Sequence, residues 1–312
     1  MSYIQPFSVN RMTKIAFIIH GKARKKQYLV DEIKRVFEEP FFQIQILETH
    51  FEQHAILLAE EVANEGFTHI IACGGDGTLN EVLNGILRTK QPNIKLGLIP
   101  KGSGNDFMKT IHSPESLIAL EKAILRNDFR KIDIGLAEFI SKEGYKTSRY
   151  YINIADVGIG GVIAQQLAES LKIFGSVITY QYFIIKNFLS YKPQQLKVTG
   201  DGFEYSGNIM NFCAANAKYF GSGLGIAPDA NISDGLLNAV AIGEVSLVDY
   251  FKNFPDLKKC KPLQHRAIKY FTTKTLSFES INRQVPIDMD GEFVGFLPMK
   301  ITIKPQAIDF IS

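Results

Sequence analysis

The chain has 312 residues, 46% of them hydrophobic and 21% charged, with a formal net charge of +3. That length accommodates two ordinary domains or one large one, and the composition is that of a folded globular protein rather than a disordered one. The charge is too small to argue for a nucleic-acid partner and suits acidic ligands such as phosphates or anionic headgroups. Cys73, Cys213 and Cys260 are widely spaced and odd in number. They fit a reducing compartment and form neither a disulfide framework nor a zinc spacing. The first residues, MSYIQPFSVNRMTK, lack an apolar segment with a cleavage site. The most apolar later stretch, 173–189, is broken by Gly175, Gln181, Lys186 and Asn187, which argues against a spanning helix. A cytoplasmic protein, peripheral at the membrane, is expected.

In chain order, residues 1–130 alternate between strand and helix patterns. Strands are expected at Lys14–His20, Gln43–Leu47, His69–Cys73 and Ile94–Pro100, with the near-continuous apolar runs of a parallel sheet covered on both faces. Leu29, Ile33, Val36 and Phe37 share one face of a first helix, and Ala55, Leu58, Ala59 and Val62 that of a second. Leu79, Val82, Leu83, Ile86 and Leu87 form the stripe of a third, and a fourth is expected to begin at Ser113-Pro114-Glu115 with Ser113 as its cap. This βαβα order predicts an α/β domain with a parallel sheet. Residues 131–312 read instead as short strands: KIDIGLAEF, RYYINIADV, QQLKVTG, NIMNFCAAN, GLLNAVAIG, KTLSFES and KITIKP. They predict an antiparallel β-sandwich, with Asp201-Gly202 as a hairpin turn, a helical insertion near 161–191, and last residues able to pack back on the first domain.

The most informative segment is Cys73-Gly74-Gly75-Asp76-Gly77-Thr78-Leu79-Asn80-Glu81, which follows a buried strand and opens a helix. There, backbone N–H groups and the helix dipole can cradle phosphate, and glycines let a ligand approach the main chain. A carboxylate in such a loop suggests a bridging Mg²⁺. The plainer reading is a structural turn in which Asp76 and Thr78 cap the helix. A second glycine-rich loop, Pro100-Lys101-Gly102-Ser103-Gly104-Asn105-Asp106-Phe107, follows the next strand at the same sheet edge. Ligands of open α/β sheets bind at that edge.

GGDGTLNEV followed by PKGSGNDF resembles the diacylglycerol kinase catalytic-domain family, which includes bacterial lipid kinases and sphingosine and ceramide kinases. The first loop is shared with NAD kinases and is similar to that of phosphofructokinases, whereas the second is more particular to lipid kinases. The resemblance extends over essentially the whole chain and implies a nucleotide domain followed by a β-sandwich. It places Mg-ATP on Gly74, Gly75, Asp76, Gly77, Thr78, Asn80, Glu81, Ser103, Asn105 and Asp106, with Thr49 at the end of the second strand. One departure is the first loop, where the family's N-P-x-[SA]-G is replaced by His20-Gly21-Lys22-Ala23-Arg24. Lys22, Arg24, Lys25 and Lys26 could substitute electrostatically or form a solvated basic helix start.

The segment 231–237, NISDGLL, is similar to the family's D-G-x-[LF]. By that resemblance Asp234 and the carbonyls of Asn231 and Leu236 hold a structural Mg²⁺; a plain Asp-Gly turn is the alternative. Asp288-Met289-Asp290-Gly291-Glu292 carries the family's D-G-E, in which one acid serves as the base. Phosphoryl transfer to an alcohol needs such a carboxylate. Glu292 and Asp290 are the expected catalytic pair, with Asp76 a third candidate. In the insertion, Leu167, Leu171, Phe174, Val177, Ile178, Tyr182, Phe183, Ile184 and Phe188 are too apolar for a simple surface helix. They read as packed core, or in part as an acyl-chain slot or bilayer contact. Lys252, Lys258, Lys259, Lys261 and Arg266 form a looser basic run. The resulting expectation is ATP-dependent phosphorylation of a lipid hydroxyl. A kinase of a soluble substrate such as NAD, or a non-enzymatic lipid-binding regulator, are the alternatives. A homodimer is left open.

Overall fold

The computed structural model describes residues 12–89, 91–111, 113–170, 176–281 and 284–312. The first part runs β1 (Thr13–Ile19), α1 (Lys26–Val36), β2 (Phe42–Glu48), α2 (His54–Asn64), β3 (His69–Gly74), α3 (Asp76–Arg88), β4 (Lys95–Pro100), α4 (Met108–Ile111) and α5 (Leu117–Arg126). The four strands are parallel, in the order β2-β1-β3-β4. Strand alternation splits their apolar residues between two cores. Ile15, Phe17 and Ile19 pack with Leu29 and Ile33 of α1 and Leu120 and Ile124 of α5. Ala16 and Ile18 pack on the other face with Leu58 and Val62 of α2 and Leu79, Val82 and Leu83 of α3. Gly85 lets α3 close on α2, since a Cβ there would stand 2.3 Å from the Ile56 carbonyl oxygen.

One helix start differs from expectation. Ser113 does not cap the fourth long helix: it is buried, and its hydroxyl donates to the Ile311 carbonyl at 3.4 Å. The cap is Ser116, whose Oγ accepts from Ala119 N at 3.2 Å.

The second part comprises β5 (Phe129–Ser141), β6 (Lys146–Tyr151), β7 (Ile154–Gly158), α6 (Ile159–Glu169), α7 (Ser176–Ser190), β8 (Gln194–Gly200), β9 (Phe203–Ile209), β10 (Asn211–Ala215), β11 (Tyr219–Phe220), β12 (Leu224–Gly225), β13 (Leu237–Ile242), α8 (Leu247–Lys258), β14 (Ile268–Thr273), β15 (Thr275–Ser280), β16 (Pro286–Met289) and β17 (Glu292–Ile311). Strands β14-β13-β10-β7-β16 form one antiparallel layer, and β9-β8-β15-β17-β5-β6 the other. Val157, Phe212, Ala239 and Ile287 from the first meet Val198, Leu276, Phe278 and Ile301 from the second, making the sandwich core. Strand β17 is the seam of the molecule. Its start pairs with β16, its length with β5, and its end runs parallel to β4 through Asp309↔Lys95 and Phe310↔Leu96. The α/β sheet and the sandwich are thereby hydrogen-bonded into one continuous surface of strands.

The apolar insertion forms α6 and α7. Leu171, Phe174, Val177 and Ile178 lie outside the described side chains. Phe183 and Ile184 are buried against Ile159, Ile163 and Met210, with Phe188 beside them. Among the described residues no helix is long and apolar enough to cross a membrane.

Candidate active site

The loops after β1, β3 and β4 meet at one sheet edge and face the β6–β7 bend, the 220–222 segment and the β16–β17 hairpin across a cleft of about 880 Å³. The two glycine loops touch through bare main chain. A Cβ on Gly102 would stand 2.5 Å from Gly75 Cα, so neither position tolerates a side chain without displacing the other loop. Lys101 N donates to Gly74 O at 2.8 Å across the same contact.

Asp76 locks this arrangement. Its Oδ2 accepts from Asp106 N at 3.0 Å and its Oδ1 from Phe107 N at 3.1 Å. Burial pushes its pKa up, against the pull of those two donors. The carboxylate thus ties one loop to the other, which accounts for an acid in a loop otherwise suited to anions. Asn105 sits in the left-handed region at φ 47° and clamps Gly102 from both sides, accepting from its N–H and donating to its carbonyl. Asp106 pairs with Lys109 at 2.5 Å and accepts from Ser222 N at 2.8 Å, joining the loop to the sandwich. Thr49 accepts from Gly21 N at 2.9 Å and so holds the first loop to the end of β2. Lys26 is occupied by Gly21 O and Glu48, whereas Lys22, Arg24 and Lys101 are exposed along the cleft. Glu81 accepts from Gln53 N and Ala55 N, satisfying free donors at the start of α2.

Opposite lies the acidic hairpin. Asp290 and Gly291 have φ of 52° and 85° and form the two-residue turn between β16 and β17, so they do not belong to an extended acidic run. The turn folds Asp290 inward. Its Oδ1 accepts from Asn153 N at 2.9 Å and Ile154 N at 3.1 Å; its Oδ2 accepts from Ile152 N at 2.9 Å and Asn80 Nδ2 at 2.7 Å. Burial raises its pKa to about 6 despite these four donors. The same bonds explain why RYYINIADV is two strands: the main chain turns its N–H groups from the ladder onto Asp290 at residues 152–154.

Glu292 points the other way, into the cleft, with 34% of its side chain exposed. Gly77 at the start of α3 leaves room for it, as a Cβ there would lie 2.9 Å from Glu292 Oε1. Arg149 aims it: Nη2 donates to Glu292 Oε2 at 2.7 Å, and Nε and Nη2 donate to Asn80 Oδ1 at 2.9 and 2.6 Å. Arg149 carries no motif signal. Its role emerges only once β6 is set beside α3.

The residues expected to hold a second metal stand apart from the cleft. Asp234 is exposed on a turn and its Oδ1 accepts from Leu236 N at 3.0 Å. Buried Asp133 fixes the turn by accepting from Gly235 N at 2.6 Å. Asp234 and the main chain at Asn231 and Leu236 offer oxygen donors, the ligand type of a hard cation. Among the described residues no cluster of three or more His, Cys, Asp or Glu is placed to hold a metal.

The sequence matches the model of the diacylglycerol kinase catalytic domain over residues 14–137 and that of the YegS C-terminal NAD kinase beta sandwich-like domain over residues 154–312. A diacylglycerol kinase of Staphylococcus carnosus (strain TM300) is 26% identical over 302 residues, 96% of this chain and 95% of the relative. One of Staphylococcus haemolyticus (strain JCSC1435) is 29% identical over 295 residues, 92% of this chain and 84% of the relative. In fold, the chain is similar to the crystal structure of a diacylglycerol kinase from Bacillus anthracis str. Sterne, with a TM-score of 0.69 at 20% identity over 96% of this chain and 97% of that one. Yeast NADH kinase shares the fold more distantly, with a TM-score of 0.55 at 10% identity over 96% of this chain and 83% of that one. The chain therefore belongs to the diacylglycerol kinase catalytic-domain family of kinases, with the β-sandwich that accompanies it.

Proposed function

We propose that the protein transfers the γ-phosphoryl group of ATP to the hydroxyl of a lipid alcohol, with Glu292 as the base. The observation that carries this reading is the position of Glu292: a half-exposed carboxylate, aimed by Arg149, against the first turn of the helix that the glycine loop opens. The polyphosphate lies along Gly74–Thr78 and Gly102–Gly104, where main-chain N–H groups, the N-terminus of α3 and the exposed Lys22, Arg24 and Lys101 supply positive potential. Thr49, Asn105 and Asp106 shape those loops, and Asp76 fastens one to the other. Asn80 and Glu81 position the acids and the start of α2. Glu292 accepts the proton of the attacking hydroxyl, and Asp290 holds the hairpin that presents it. Mg²⁺, when bound with the nucleotide, neutralises charge on the phosphates. A Mg²⁺ on Asp234 and the carbonyls of Asn231 and Leu236 would brace the turn on Asp133.

Two features support a lipid acceptor over a dinucleotide. Ile163, Ile184, Phe188, Met210, Ile242 and Leu257 line an apolar cavity beneath α6, α7 and α8. Outside it, Tyr182, Ile185 and Leu189 of α7 and Val248 and Phe251 of α8 are exposed on neighbouring helices, with Lys252 alongside. Such a patch suits peripheral contact with a bilayer. The test is phosphorylation of detergent-dispersed lipids with radiolabelled ATP, NAD included, comparing wild type with Glu292→Gln. Label on a lipid, lost in the variant, is expected. Label on NAD alone would refute the lipid acceptor.

A further inference from the structure

The cleft is polarised. Lys22, Arg24 and Lys101 line one end, while Asp156, Asp288, Asp290 and Glu292 line the other. Asp290 and Glu292 have partners, as described above. Asp156 and Asp288 are held more weakly, the first by the Asn211 side chain and the second by the Gly291 N–H. They are directly opposite on antiparallel strands β7 and β16, a placement in which like charges repel. Asp156 is 1% exposed, and neither its Oδ1 nor that of Asp288 accepts a hydrogen bond among the described residues. Asn211 divides its side chain among several neighbours, and the buried Tyr191 hydroxyl lies near enough to feel the Asp156 charge. Asn211 Oδ1 accepts from Gly160 N at 3.0 Å, and its Nδ2 lies 3.4 Å from Cys213 Sγ. Gly160 also keeps space beside the pair, since a Cβ there would stand 2.0 Å from Asp156 Oδ1. Burial lifts Asp156 to about 7, and burial joined by repulsion from Asp156 raises Asp288 well above the ordinary carboxylate value. Buried acceptors without donors are costly, and a pair serving only the fold would gain by being amide or apolar.

We propose that Asp156 and Asp288 bind the acceptor head beside the hydroxyl that is phosphorylated, selecting a lipid alcohol that carries a second hydrogen-bond donor, a neighbouring hydroxyl or an ammonium. This rests on the lipid-kinase reading. Ala164, Leu167 and Phe220 line the same end of the cleft and would meet the first carbons of the chain. An acceptor with an anionic group next to its hydroxyl is excluded by the four acids. The selectivity follows from the rule that a site built around buried acceptors rejects the analogue that leaves them unpaired.

The experiment measures equilibrium binding, without ATP, of three probes in identical detergent micelles: a monoacylglycerol, a long-chain 2-amino-1,3-diol, and a diacylglycerol with one hydroxyl. Wild type is compared with Asp156→Asn and Asp288→Asn, and initial-rate phosphorylation of the same probes is run in parallel. Wild type is expected to prefer at least one two-donor probe by roughly tenfold or more, and each variant to lose most of that preference. Loss confined to the amino-diol identifies the ammonium as the donor; loss confined to the monoacylglycerol identifies the hydroxyl. Equal binding of all three by wild type overturns the proposal. So does a preference that persists in both variants while only their melting temperatures shift, which would make the pair a self-contained contact. If no lipid is phosphorylated yet the binding preference holds and is lost in the variants, the kinase reading fails and the recognition stands.

Discussion

The two walls of the cleft are built on different principles. The glycine-loop wall is main chain against main chain: Gly75 on Gly102, with Asp76 and Asn105 folded onto the loops rather than out toward a ligand. Its parts come from two consecutive strand ends, within about one turn of the sheet edge. The acidic wall is a relay of side chains from distant segments, with Glu292 held by Arg149, Arg149 by Asn80, and Asn80 by Asp290. Main chain suits a ligand whose charge is already present and whose shape is fixed. A base that must accept a proton during the reaction needs a carboxylate aimed from several directions.

The comparison is tested most severely at the hairpin. Glu292→Gln keeps the shape and removes the base, so turnover should fall by about 10²–10⁴-fold with the melting temperature nearly unchanged. Asp290→Ala should do the reverse in emphasis. It strips four donors of their acceptor, three of them main-chain N–H groups, and should destabilise the fold by about 3 kcal/mol, read as a lower denaturation midpoint. An Asp290→Ala protein as stable as wild type but inactive would exchange the two roles.

On the loop wall, Gly102→Ala places a methyl 2.5 Å from Gly75 Cα, and backbone must move to admit it. Overpacking of this kind costs about 1–3 kcal/mol, here expected as roughly ten- to hundredfold weaker nucleotide binding by calorimetry. Lipid binding, which depends on the other wall, should be unaffected. A matching loss of lipid binding would mean that the two walls are one coupled unit.

The same contrast explains what could be read from the chain. Strands β1 to β4 and the α3 stripe follow from local periodicity, and both glycine loops follow from their place after buried strands. The cap at Ser116 was obscured by Ser113-Pro114, a sequence equally good as a helix start, until Ser113 is seen buried against Ile311 from the far end of the chain. RYYINIADV and NIMNFCAAN each read as one strand, since apolar runs do not reveal where N–H groups leave a ladder. In the first, Asp290 takes them. Its role was legible only as an acid beside a glycine, because carboxylates that serve the fold and those that serve chemistry look alike in sequence. Arg149 and Asp156 had no local signal at all, as their meaning lies in partners about 70 to 140 residues away.

The smallest expected effect separates the acidic wall from the far end of the α/β sheet by pH. On the acidic wall, Asp290 at about 6 and Asp156 at about 7 lie above the ordinary value of 3.8, because burial penalises their charged forms. The folded protein therefore binds more protons than the unfolded chain from about pH 4 to 7, and these groups add stability as pH falls through that window. On the α/β side, burial holds His69 neutral down to about 4. Unfolding lets it protonate near its ordinary value of 6.5, so its contribution is lost as pH falls from about 6.5 toward 4. His69, at the end of β3 away from the cleft, and the acidic-wall carboxylates thus tilt the stability curve in opposite directions, each by on the order of 1–2 kcal/mol. Melting curves at about pH 7.5 and 5 should show Asp156→Asn losing part of the gain on acidification and His69→Gln losing part of the penalty. If both variants moved the curve the same way, the opposite contributions assigned to Asp156 and His69 would be wrong.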